Sequence, residues 1–79
     1  MSVKTKIVWG DGWNEDLKDQ WDTFKSEWLS KATDAGKTDG FGTEGVRTWV
    51  DQSTADQWKA LAQEFSRICG IKVTVSNVD

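Results

Sequence analysis

Residues 46–75, VRTWVDQSTADQWKALAQEFSRICGIKVTV, spell strand, helix and strand in succession. Trp58, Leu61, Ala62, Phe65, Ile68 and Cys69 recur at three- and four-residue steps, while Asp56, Lys59, Gln63, Glu64 and Arg67 fall between them. That period puts the first set on one stripe of an α-helix and requires the stripe to be buried. Ser53 or Thr54 is placed to cap the first turn, and Thr54 with Gln57 has the spacing of a capping box. Gly70 suits the left-handed position after the last turn, with Ile71 folding back on Phe65. Beyond it, residues 71–75 alternate, with Ile71, Val73 and Val75 against Lys72 and Thr74. Residues 46–51 alternate as well, and the valines define the expected inner side: Val46, Thr48 and Val50 against Arg47, Trp49 and Asp51.

Upstream, Val3, Thr5, Ile7 and Trp9 alternate with Lys4, Lys6 and Val8, the pattern of a first strand. Gly10-Asp11-Gly12 breaks it. Asn14 then reads as a helix cap, with Glu15 and Asp16 in the first turn. Leu17, Trp21, Phe24, Trp28, Leu29 and Ala32 carry the helical period as far as Gly36. Residues 37–45, KTDGFGTEG, form the one irregular segment. Gly40, Gly42 and Gly45 match G-x-G-x-x-G, but a dinucleotide site needs a strand before that motif and a helix after it, and here the order is reversed. Phe41 reads as an anchor for this loop.

The element order is therefore β-α-β-α-β, an α/β (α+β) chain. Alternating strands leave one sheet face bare, so the expected architecture is a two-layer sandwich: a three-stranded sheet with both helices on one face. Right-handed crossovers favour the sequential strand order 1-2-3, and a mixed sheet with one strand reversed through the glycine loop is the alternative.

A chain of 79 residues is one small domain in which a single core barely offsets the entropy of ordering, so self-association would help it. No segment approaches the ~18 apolar residues of a membrane span, and residues 1–9 have no signal-peptide pattern, which points to the cytoplasm. With one cysteine, Cys69, no intrachain disulfide can form, and its place on the apolar stripe reads as an inert thiol. Histidine and tyrosine are absent, which removes the commonest general base and metal ligand and argues against an enzyme. No cofactor motif is present. Asp11, Asn14, Glu15 and Asp16, or Asp39 and Glu44, read as caps and turns, since neither group has the spacing of a calcium loop.

On the expected faces, the bare side of the sheet carries Lys4, Lys6, Val8, Arg47, Trp49, Asp51, Lys72, Thr74 and Ser76. Four cations around an indole suit either a protein contact or the stacking and neutralisation of single-stranded nucleic acid. A net charge of -3 makes nucleic acid the second choice. Of the six tryptophans, Trp21, Trp28 and Trp58 belong to helix stripes and to the core. Trp13 and Trp49 remain as contact candidates, since indole is enriched at binding hot spots. The expected function is a small non-enzymatic module acting by protein contact or self-association through Trp13, Trp49, Lys4, Lys6, Arg47 and Lys72 and through the exposed sheet edges.

VRTWVDQSTADQWKALAQEF followed by GIKVTVSNV resembles short uncharacterised open reading frames of tailed phages of marine bacteria. The resemblance covers about the last 35 residues and rests on an aromatic strand, a D-x-[ST]-T-A-x-x-W helix start and a closing β-branched strand. It implies a small accessory or structural role and carries no catalytic or ligand residue.

Overall fold

The computed structural model describes residues 3–31 and 44–78. The elements are β1 (Val3–Trp9), α1 (Glu15–Lys31), β2 (Glu44–Trp49), α2 (Gln52–Cys69) and β3 (Val73–Val78). This is the expected order in a small α+β fold. Ala32 and Gly36 of the expected first helix, together with Phe41, Gly40 and Gly42, lie outside the described residues.

The strand order departs from expectation. β1 lies in the middle of the sheet, in the order β2-β1-β3, and pairs antiparallel with both neighbours. The alternation that predicted a bare face also explains the difference, because antiparallel sheets can leave one side to solvent whereas parallel sheets are covered on both. β2 and β3 are consequently parallel to one another with β1 between them, and α2 makes the crossover above it.

Both helices stand on the same face. From β1 that face receives Thr5, Ile7 and Trp9, all buried. α2 covers it with Ala55, Trp58, Ala62 and Phe65, the inner positions of its stripe. α1 contributes one fully buried residue, Trp21, with Phe24, Trp28 and Leu29 packed at the margin. Its indoles bridge to the sheet, Trp21 lying 5.3 Å from Trp9 and Trp28 lying 5.4 Å from Trp49 between ring centroids.

The helix ends follow local chemistry. Asn14 Oδ1 accepts from Leu17 N at 2.9 Å and caps α1 as expected. The cap of α2 is Asp51 rather than Ser53 or Thr54: its carboxylate accepts from the backbone and hydroxyl of Thr54, each at 2.8 Å. At the far end Gly70 adopts φ 76° and donates its N–H to Ser66 O. β3 begins at Val73, two residues later than the alternation suggests. Gly10 N instead donates to Lys72 O at 2.8 Å, so the chain turns in beside the end of β1 before pairing begins.

Candidate functional site

β2 has the opposite phase to the one its valines suggested. Pairing sets Trp49 opposite Val3, Arg47 opposite Thr5 and Gly45 opposite Ile7, so Arg47 and Trp49 lie beneath the helices. Trp49 is 1% exposed. The competition was between two valines with a threonine and one indole with an arginine stem. Burying the indole removes far more apolar area, and β-branched residues are at home on an outer sheet face. Asp51, counted as the end of that strand, is the helix cap and belongs to neither face.

The expected contact surface therefore divides into three parts. Lys4 and Lys6 do lie on the bare face, each on β1; Lys4 is exposed opposite Thr48 and Val78, and Lys6 lies opposite Val46 and Ser76. Lys72 is exposed just ahead of β3. Trp13 is half-buried and stacks on Trp9, with centroids 4.2 Å apart and planes 6° from parallel. It closes the end of the core. The single-strand reading loses the ring on which bases would stack, because Trp49 is enclosed by Trp28 and Trp58.

What remains on the bare face is a β-branched surface. Val8, Val46, Thr48 and Val78 are half-buried and surround the two lysines, with Thr74 and Ser76 exposed along β3. Among the described residues no element covers them.

Under the helices, Arg47 belongs to a polar and aromatic cluster that sequence reasoning missed. The Trp49 indole donates Nε1–H to Thr5 Oγ1 at 2.9 Å, and that hydroxyl in turn donates to Arg47 O at 3.5 Å. Thr5, 1% exposed, is the buried polar residue this network satisfies. The Arg47 guanidinium carbon lies 5.9 Å from the Trp49 ring and 5.4 Å from Trp58. Lys25 Nζ lies 5.4 Å from Trp21 and 5.9 Å from the same Trp58. Two cations thus converge on one indole.

Among the described residues the carboxylate beside them is Asp22, which reaches Lys25 and Lys18 at 3.2 Å each. Burial pushes the Asp22 carboxyl up, but hydrogen bonds and charge from Lys25 and Lys18 outweigh it and hold it below its ordinary value. Burial pulls the Lys25 ammonium down, against Asp22 and with the help of Arg47. It also pulls Arg47 down, again opposed by Asp22. Arg47 Nε is buried without a hydrogen-bond partner among the described residues.

A hollow lies between the helices. Asp19, Gln20, Thr23, Phe24, Phe65 and Ile68 line a groove of about 450 Å³. Ile68, expected on the buried stripe, is 61% exposed and lines this groove beside α1. Cys69 is half-buried beside it in sequence.

Among the described residues no group of three or more His, Cys, Asp or Glu side chains is placed to hold a metal ion, and no helix is long and apolar enough to cross a membrane. Compared with protein families, curated proteins and solved structures, the chain matches none of them.

Proposed function

We propose that this chain is a small non-enzymatic contact module that binds a protein surface through the uncovered side of its sheet, a second copy being the first partner to test. The observation that carries the reading is the asymmetry of the sheet. One face is roofed by two helices, while the other presents Val8, Val46, Thr48 and Val78 half-exposed around Lys4 and Lys6. Among the described residues nothing covers the apolar area of this face, and a 79-residue domain gains proportionately more than a large one from burying it against another molecule. The outer edges of β2 and β3 adjoin this face and extend it with backbone donors and acceptors. Such a role fits the small accessory phage proteins that residues 46–65 and 70–78 resemble.

Sedimentation velocity over a wide concentration range tests the proposal. Wild type should associate, and Val46→Lys, which places a third cation beside Lys6, should shift the equilibrium to monomer without loss of helical circular dichroism. A strict monomer at high concentration, or association indifferent to Val46→Lys, would reject self-association through this face.

A further inference from the structure

We propose that Arg47 and Lys25, set over the indole of Trp58, form a binding site for a phosphate group. The site is independent of the bare sheet face, because Arg47 and the helices lie on the other side of the sheet.

Three observations support it. Arg47 is a half-buried guanidinium that meets no acceptor among the described residues, and its Nε donor is fully enclosed. A buried donor without a partner is uncommon and marks a place where an acceptor would be stabilised. Second, Lys25 is held over the same ring from the α1 side, with its side chain 15% exposed, so both cations are already partly stripped of water. Third, the charges do not balance. Among the described residues, Lys18, Lys25 and Arg47 face the carboxylate of Asp22 alone, which leaves two positive charges. A phosphate monoester carries about -1.5 to -2 near neutrality and presents several strong acceptor oxygens, so it meets both the charge and the free donor fork. A lone carboxylate would leave one charge unmatched. The indole holds both cations near its ring before any ligand arrives.

The group has two sources, free phosphate or the phosphate of a modified peptide, and both belong in the test. The Arg47 Nε–H and Trp58 indole N–H resonances of the full chain, in ¹⁵N-edited spectra, would be followed against inorganic phosphate and against a phosphoserine tripeptide, each at constant ionic strength with chloride as control. At least one titration should saturate and move both resonances, and the tighter ligand identifies the source. Arg47→Lys, which keeps the charge but loses the fork, should weaken binding about tenfold. Asp22→Asn, which removes the competing carboxylate, should tighten it by about three- to tenfold. A purely structural Arg47 predicts no saturation in either series and no effect of Asp22→Asn on ligand response. Shifts equal to those in chloride, or saturation retained unchanged in Arg47→Lys, would overturn the proposal.

Discussion

At the scale of single residues, the most constrained polar group is the hydroxyl of Thr5. It is enclosed at 1% exposure and serves at once as acceptor for the Trp49 indole and donor to the Arg47 carbonyl. Thr5→Val preserves shape and strand preference but leaves the Trp49 N–H buried without an acceptor, a loss of about 1–3 kcal/mol. Thr5→Ser keeps the oxygen and should cost less. Urea denaturation of the two variants side by side measures the difference. Asp51 offers a second test through pH. The backbone N–H of Thr54 and then its hydroxyl stabilise the charged carboxylate, so its pKa in the folded chain lies below the ordinary 3.8. A depressed carboxylate contributes stability above pH 3.8 that disappears as pH falls through the folded value. Asp51→Ala should therefore lower the thermal midpoint at neutral pH and flatten the acid limb of the stability curve below that point.

At the scale of elements, the two turns that stop and start the helices differ in what a side chain would meet. Gly70, at φ 76°, has nothing within 4 Å of an added Cβ, so Gly70→Ala costs only the backbone preference, about 1 kcal/mol. Gly12, at φ 97°, would set its Cβ 2.9 Å from Ile71 Cδ1. Gly12→Ala adds a clash with Ile71, which packs against the core, and its fall in thermal midpoint should exceed that of Gly70→Ala. The same contrast explains what could be read from sequence. β1, the Asn14 and Gly70 caps and the stripe of α2 apart from Ile68 were legible because each is a local pattern answered by local chemistry. The phase of β2 was not, because its two faces were nearly balanced in hydrophobicity and only the tertiary neighbours Trp28 and Trp58 decide between them. The Lys25–Arg47 cluster was hidden for the same reason: it joins α1 to β2 across 22 residues of chain and has no spacing rule of its own. The place of β1 at the centre of the sheet is likewise a non-local fact, although the bare face implied by alternation already favoured antiparallel pairing.

At the scale of the molecule, the core is a mosaic of rings. Trp58 lies 5.3 Å from Trp21, 5.9 Å from Trp28 and 5.0 Å from Trp49, and so ties α1, α2 and β2 together. Large flat side chains suit a chain this short, since each buries about 150–250 Å² and spans the gap between layers that aliphatic residues would leave open. The consequence is a steep ordering of importance among the tryptophans. Trp58→Ala removes the shared ring and should cost about 3–5 kcal/mol. Small domains have about 5 kcal/mol or little more in total, so this variant should lose its cooperative thermal transition and its near-ultraviolet circular dichroism, which reports rings held in fixed geometry. Trp13→Ala removes a half-buried ring that stacks on Trp9 at the end of the core, where solvent can fill the space. Its transition should remain cooperative and move by only a few degrees. Equal destabilisation by the two substitutions would mean that the indoles share the load evenly and that the ring joining α1, α2 and β2 has no special weight.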